Sequence, residues 1–151
     1  MHFSKILITT DLSPAAEAAF ELAAYDRKME GSEIFLLHVC SLFEPSYVEG
    51  VVFWYPTLVG EYGEAYRKSA LSKLQELAAK HFHRQEVRCE AIIPTRGVAE
   101  EVCAFAKKKG CDLIVMGSRG HTVLGSLIVG SVAQRTLLLS ECPVLVVPPR
   151  H

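Results

Sequence analysis

The feature that most constrains the fold is an alternation of short apolar strands with amphipathic helices. The four intervals between the strands carry apolar residues at helical spacing. Strands that alternate with helices predict a parallel α/β sheet, with right-handed crossovers that place helices on both faces. The five predicted strands are Lys5 to Thr10, Glu33 to Cys40, Glu86 to Ile93, Asp112 to Met116 and Pro143 to Val147.

Helix ends are marked by residues with known terminal preferences. Ser13 followed by Pro14 predicts the N-cap and first position of the first helix, which Gly31 is expected to end. A run of lysines from Lys107 to Lys109, followed by Gly110, predicts the end of the third helix, because cations favour the negative helix end and glycine the position after it.

The segment from Ser41 to Gly60, SLFEPSYVEGVVFWYPTLVG, is predicted to be a loop because Pro45 and Pro56 interrupt it. A loop of this length is usually functional or disordered, and its aromatic residues argue against disorder. Two interpretations remain. The segment either packs back on its own domain as a lid, which we favour, or presents Phe53, Trp54 and Tyr55 to a partner subunit or a ligand.

A glycine-rich stretch, LIVMGSRGHTVLGSLIVGS, follows the fourth strand and ends at Ser131. Glycine permits close approach to the backbone, and the first N–H groups of the next helix, VAQRTLLL, have no partner within it, so this stretch suits phosphate binding. It contains no lysine and fits neither GxxxxGK[ST] nor GxGxxG. The residues alone leave a second interpretation open, in which Ser131 and Gln134 form a capping box that needs no ligand.

The spacing of Gly117, two residues, Gly120, nine residues, Gly130 and Ser131 resembles the nucleotide-binding motif of the universal stress protein family. The segments MGSRG, CPVLVVP and KILITTDLS also resemble that family, so the similarity covers essentially the whole chain. The chain departs from the family at Val123, where many members carry glycine, and at Thr9, where proline or valine is common.

This resemblance implies a single flavodoxin-like, Rossmann-like domain over residues 1–151, with strand order 3-2-1-4-5. In that order the first and fourth strands are neighbours at the topological switch point, where ligands bind beyond the carboxyl ends of the strands. Asp11 and the Gly117 loop are therefore expected to face one crevice.

The resemblance also implies a role for each residue of an adenine-nucleotide site. Asp11 would accept from the ribose, and the Ser131 hydroxyl would add a phosphate donor or reach a phosphate-bound Mg²⁺. Arg119 and His121 carry side-chain donors and rank below the glycines, with solvated side chains that bind no ligand as the alternative for both. The remaining residues would line the base and sugar (Thr9, Thr10, Val39, Met116) or offer backbone N–H groups to phosphates (Gly117, Gly120, Gly130, Ser131, Val132). From the residues alone, Asp11 is equally a helix cap shared with Ser13, and Val39 and Met116 are ordinary core.

No paired carboxylate, GxSxG turn or nucleophile beside a histidine suggests catalysis. The first hypothesis is therefore an ATP-binding stress-response sensor or switch, and the second a slow ATPase or autophosphorylating protein that uses the same pocket. A nucleotide-free dimeric interaction module is the third, and flavodoxin-type electron transfer the fourth. The expected cofactor is ATP with Mg²⁺, and neither a flavin nor a structural zinc is expected.

Charge and cysteine content limit the partners. A net charge of −1 and a pI near 6.6 give no electrostatic footprint for nucleic acid or for an anionic membrane. Five cysteines without a CxxC pair argue against a disulfide framework or a zinc site, and we interpret them as reduced, mostly buried thiols. His81, His83 and Cys89 match no common zinc spacing and are interpreted as a solvated helix end.

The ends of the chain complete the expectations. No signal peptide and no stretch of roughly 18 apolar residues is found, so a cytosolic location is expected. In the implied order the last strand lies at the sheet edge, and an apolar edge strand invites pairing with another chain. A homodimer is therefore predicted through Val144, Leu145, Val146 and Val147, with Pro148 and Pro149 ending the ladder.

Overall fold

Strands and helices alternate through most of the chain in a computed structural model that describes residues 2–25, 31–40, 43–48, 51–56, 61–82, 87–118 and 129–149. For 43–48 and 51–56 only the backbone is described. The elements are β1 (Lys5–Thr9), α1 (Glu17–Tyr25), β2 (Glu33–Val39), β3 (Phe43–Val48), β4 (Val51–Pro56), α2 (Glu61–His81), β5 (Val87–Ile92), α3 (Val98–Lys109), β6 (Leu113–Gly117), α4 (Ser131–Leu139) and β7 (Val144–Val147).

The main sheet has five parallel strands in the order β5-β2-β1-β6-β7. Numbered among themselves along the chain, these strands have the order 3-2-1-4-5, so the predicted topology is confirmed. β1 is the central strand, and its last residue, Thr9, pairs with Met116 of β6. The order reverses between β1 and β6, which places the topological switch point at the carboxyl ends of these two strands.

Helices cover both faces of the sheet. Alternate strand residues point to opposite sides, so each face packs its own set of side chains against the helices. Ile6 and Ile8 of β1 pack in one cluster with Phe20 of α1 and Leu74 of α2. Leu7 joins a second cluster that includes residues of α3. All of the β1 residues from Ile6 to Ile8 are fully buried, as expected for a strand with helices above and below it.

The segment predicted to be a loop contains a β-hairpin, so that prediction was wrong. β3 and β4 pair antiparallel from Phe43 opposite Pro56 to Val48 opposite Val51. Both prolines lie within these strands, which form a two-stranded sheet of their own and therefore have edges where a missing N–H is tolerated. The side chains of Phe53, Trp54 and Tyr55 lie outside the described part, so both interpretations of their role stay open.

The helix ends agree with the sequence in one case and differ in another. Gly110 follows α3 with φ 69°, the left-handed conformation expected after the lysine run. The first helix differs only in the type of its first turn: Ser13 is the N-cap and Pro14 the first helical residue, as predicted, but Pro14–Ala16 is a 3₁₀ turn and α1 begins at Glu17. His81 was expected to be solvated, but its side chain is 9% exposed, packs on Phe20 and contacts Glu17 at 3.1 Å.

The five cysteines carry free thiols. Cys40 and Cys111 are buried, whereas Cys89, Cys103 and Cys142 are only partly buried, so the thiols are less buried than predicted. In the described ranges, no helix combines the length and the apolar character needed to cross a membrane.

Candidate functional site

The carboxyl ends of β1, β2 and β6, where a doubly wound sheet forms its ligand crevice, bring together several of the predicted residues. Thr9 and Met116 are paired across β1 and β6, and Val39 is the last residue of β2. Thr9, Thr10, Val39 and Met116 are all at least nine-tenths buried. Val39 packs in the cluster with α3, so its interpretation as a core residue is confirmed.

The turn after β1 is shaped by Asp11. Its Oδ1 accepts hydrogen bonds from the Ser13 N–H at 2.9 Å and from the Ser13 hydroxyl at 2.5 Å. Leu12 between them has φ 65°, a left-handed conformation that is costly for a branched side chain. The Thr10 hydroxyl stabilises the turn by accepting from the Leu12 N–H at 2.9 Å. Asp11 therefore stabilises the turn into the first helix, as one of the two interpretations of its role required.

His38 holds the end of β1 in place, a contact that the sequence did not predict. Its Nδ1 lies 2.9 Å from the Thr10 carbonyl oxygen, which can only accept, so Nδ1 is the protonated nitrogen. Its Nε2 lies 3.3 Å from the Tyr66 hydroxyl of α2. The sequence feature that could have predicted this contact is a single histidine inside the apolar strand EIFLLHVC, because a buried imidazole needs hydrogen-bond partners.

The two ends of the glycine-rich stretch meet. The Gly130 N–H donates to the Ser118 carbonyl at 2.8 Å, and the Ser118 N–H donates to the Val147 carbonyl at 2.8 Å. Gly117 is the last residue of β6 and pairs with Val147. These bonds place the start of α4 beside the carboxyl end of β6. Residues 119–128, with Arg119, Gly120 and His121, lie outside the described residues.

The start of α4 corrects the capping-box interpretation. Gly130 is the N-cap, with φ −61° and ψ 155°, and the first helical bond runs from the Gln134 N–H to the Gly130 carbonyl at 3.0 Å. Ser131 is therefore the first helical residue and not the cap. The Gln134 side chain donates to the Val129 carbonyl at 2.5 Å, so it does not reach back to the Ser131 N–H. Among the described residues, no side chain caps α4, and both Ser131 and Val132 are exposed.

Charged residues join α4 to its neighbour α3 near the same edge of the sheet. Arg135 of α4 forms an ion pair with Glu100 in the first turn of α3. The backbone N–H of Glu100 and the Arg135 guanidinium together lower the pKa of the Glu100 carboxyl group. Cys40 directly follows β2 on the other side of β1. Burial raises the pKa of its thiol, so this cysteine is neutral near pH 7.

The crevice thus presents three kinds of group. It has buried side chains from three strands, a carboxylate at Asp11, and outward-facing N–H groups at the start of α4. Within the described part of the chain, no cluster of three or more His, Cys, Asp or Glu side chains is arranged to hold a metal ion. Such a site can bind an anionic ligand that also carries hydroxyl groups and an apolar ring.

The strand order defines a doubly wound α/β protein, a class whose ligand sites lie at the topological switch point. The sequence profile of the universal stress protein family matches residues 2–148. The chain is 33% identical over 147 residues to universal stress protein YxiE of Bacillus subtilis, an alignment that covers 96% of this chain and 99% of that protein. The chain therefore belongs to the universal stress protein family.

Solved structures agree with this assignment. The structure of protein MJ0577, from Methanocaldococcus jannaschii, superposes with a TM-score of 0.74 at 25% identity and covers 100% of this chain and 99% of that one. A universal stress protein family protein from Arabidopsis thaliana, solved with AMP bound, superposes with a TM-score of 0.56 at 19% identity. That match covers 97% of this chain and 92% of the other, and at this identity it shows the shared fold.

Proposed function

We propose that this protein binds an adenine nucleotide, ATP with Mg²⁺, in the switch-point crevice and acts as a cytosolic stress-response sensor or switch. The observation that carries the proposal is the hydrogen bond from the Gly130 N–H to the Ser118 carbonyl. It holds the N-terminus of α4 next to the end of β6, where unpaired N–H groups and the helix dipole favour a phosphate. The AMP-bound Arabidopsis relative supports the binding of an adenine nucleotide. The five free thiols suit a reducing compartment and support the cytosolic location.

Each part of the nucleotide has a proposed partner. Thr9, Thr10, Val39 and Met116 line the base and sugar, and Asp11 accepts a hydrogen bond from a ribose hydroxyl. Backbone N–H groups of Gly117, Gly120, Ser131 and Val132 bind the phosphates, with Arg119 and His121 as additional donors. The Gly130 N–H, predicted as a further donor, is already bonded to the Ser118 carbonyl, so Gly130 contributes only its missing side chain. The exposed Ser131 hydroxyl donates to a phosphate oxygen or reaches the Mg²⁺ that the phosphates carry.

Identification of the bound molecule tests this function. Protein purified without added nucleotide is denatured in acid, and the released small molecules are separated and identified by mass spectrometry. We expect an adenine nucleotide that added ATP displaces. Purified protein that holds no nucleotide and also fails to bind added ATP would support the nucleotide-free interaction module instead.

ATP should be held for much longer than an ordinary kinase or ATPase takes to turn over. Backbone donors stabilise the bound triphosphate, and only groups that bind the transition state more tightly than the substrate raise kcat. With stoichiometric protein, γ-labelled ATP and Mg²⁺, we expect phosphate release far slower than about 1 s⁻¹, the lower end for phosphoryl-transfer enzymes.

Two other outcomes of that experiment have a clear meaning. Release at about 1 s⁻¹ or faster would favour the ATPase over the switch. Label that stays on the protein would favour autophosphorylation, for which Ser118, Ser126 and Ser131 are the nearest candidate acceptors.

We also propose a homodimer through β7. Among the described strands, β7 pairs with β6 alone and forms one edge of the sheet. Leu145 on this edge is 36% exposed, and Leu138 of the neighbouring helix α4 is 84% exposed, so apolar surface surrounds the edge. A two-fold axis would pair β7 with its own copy in the antiparallel direction.

Replacement of Val146 by lysine is expected to dissociate this dimer, because a charge would have to be buried in the new ladder. The measurement is the sedimentation coefficient at micromolar concentration. Val87→Lys is the matched control, since Val87 is also partly buried and lies on β5 at the opposite edge. A wild-type protein that sediments as a monomer, or a Val146→Lys variant that stays dimeric, would contradict the proposal.

A further inference from the structure

Three of the five cysteines lie together at the end of the sheet opposite the crevice. Cys103 of α3, Cys111 before β6 and Cys142 before β7 line one cavity of about 270 Å³. β6 and β7 are parallel neighbours, with Ile114 opposite Val144. The two segments that lead into these strands are therefore close, and the amino ends of the strands bring the thiols together.

Cys142 is held at this cavity by Ser140. The Ser140 hydroxyl donates to the Cys142 carbonyl at 2.7 Å and accepts from the Cys142 N–H at 3.2 Å. It also lies 3.6 Å from the Cys142 sulfur. Because its one hydrogen is used by the carbonyl, the thiol donates to the hydroxyl, and a thiolate could receive that hydrogen after a rotation of the hydroxyl group.

The other two thiols are poorer first nucleophiles. Burial, and after it the neighbouring Cys142, raises the pKa of Cys111 to about 11. Burial, followed by the proximity of Cys142 and then Glu100, also raises the pKa of Cys103, whose sulfur lies 3.9 Å from the Thr136 carbonyl. Since Cys142 influences both thiols and is itself partly exposed, it is the central member of the cluster.

We propose that these three cysteines form a peroxide-sensitive thiol site, in which Cys142 reacts first and then forms a disulfide with one of the other two, Cys111 or Cys103. The co-reactant is a hydroperoxide. The Cys142 thiolate attacks one peroxide oxygen, the O–O bond breaks, and the leaving oxygen takes a proton to form water or an alcohol. The second thiol then attacks the resulting sulfenic sulfur, and the hydroxyl group leaves as a second water. Two thiols are oxidised by two electrons, and one peroxide is reduced.

The disulfide would have a defined structural effect. It would tie the start of β7 to α3, through Cys103, or to the segment between α3 and β6, through Cys111. The site lies at the opposite end of β6 from the proposed nucleotide crevice, so it does not depend on nucleotide binding.

Oxidation of the full-length chain tests the proposal. The folded protein is treated with hydrogen peroxide, the remaining thiols are alkylated, and intact mass and disulfide-linked peptides are measured. We expect the loss of two hydrogen atoms, a bond that joins Cys142 to Cys111 or Cys103, and full reversal by a thiol reductant. Cys40→Ser and Cys89→Ser are the matched controls and should form the same bond as the wild type.

Two variants make the test specific. Cys142→Ser, a near-isosteric change at a partly buried position, should form no disulfide within the cluster. Ser140→Ala should keep the fold and lower the alkylation rate of Cys142 in native protein several-fold, because it removes the hydroxyl that supports the thiolate. A bond that involves Cys40 or Cys89, a Cys142 bond between two chains, or five thiols that stay reduced would each overturn the proposal.

Discussion

Replacement of Gly130 by valine is expected to abolish ATP binding while the fold survives. Gly130 has φ −61°, a conformation that any residue adopts, so the backbone itself does not require glycine there. In the proposed site its value lies in the missing side chain, which would let a phosphate approach the N–H groups at the start of α4. We expect the affinity for ATP, measured by titration calorimetry, to fall by at least about a hundredfold, or ~2.7 kcal/mol.

Gly97 offers a matched control for this change. It is the N-cap of α3, with φ −61° and ψ 154°, nearly the same conformation as Gly130. A β-carbon at Gly97 would meet the end of the Glu100 side chain, which would have to move and give up its ion pair with Arg135. Valine at either cap should cost about 1 kcal/mol of stability. Gly97→Val should therefore lose at least as much unfolding free energy as Gly130→Val but retain ATP affinity, and equal affinity in all three proteins would refute the proposed phosphate site.

Replacement of Asp11 by alanine is expected to weaken ATP binding by about 10- to 100-fold, the value of a hydrogen bond between a ribose hydroxyl and a charged acceptor. The same change removes the acceptor for the Ser13 N–H and hydroxyl, so stability should also fall by about 1 kcal/mol. Affinity must therefore be measured at a temperature well below the unfolding midpoint of the variant.

Ser13→Ala separates the two roles of Asp11. It removes the hydroxyl that donates to Asp11 at 2.5 Å and leaves the carboxylate in place. We expect a loss of stability with ATP affinity within about twofold of the wild type, a change of less than ~0.5 kcal/mol in binding. If Asp11→Ala binds ATP as tightly as Ser13→Ala does, Asp11 serves only the turn.

The sheet could be predicted from the sequence because its signals are local and agree with one another. Each predicted strand lies within two residues of the observed one, since β-branched apolar runs bounded by polar residues leave few alternatives. The hairpin at β3 and β4 runs against the sequence prediction because Pro45 and Pro56 lack the N–H that a central strand needs, whereas the strands of a two-stranded sheet tolerate them. Two β-prone runs separated by Glu49 and Gly50 were the competing hairpin signal.

The candidate site was predictable by position and much less so by contact. Thr9, Thr10, Val39 and Met116 lie where the strand ends place them. The left-handed Leu12 and the bond from His38 to Thr10 depend on how the turn packs against β2 and α2, which no local pattern encodes. The cap at Gly130 was predicted one residue too late, because Ser131 and Gln134 match a capping box as letters and helix ends are the least reliable boundaries.

Equilibrium dialysis of the full chain against labelled ATP and Mg²⁺ tests most directly whether the crevice binds an adenine nucleotide. The proposed site predicts saturable binding of one ATP per chain, competition by unlabelled ATP and AMP, and no competition by a pyrimidine nucleotide at the same concentration. Gly130→Val should show no saturable binding in the same dialysis experiment. Binding that does not saturate, or that Gly130→Val retains at full strength, would contradict the central claim.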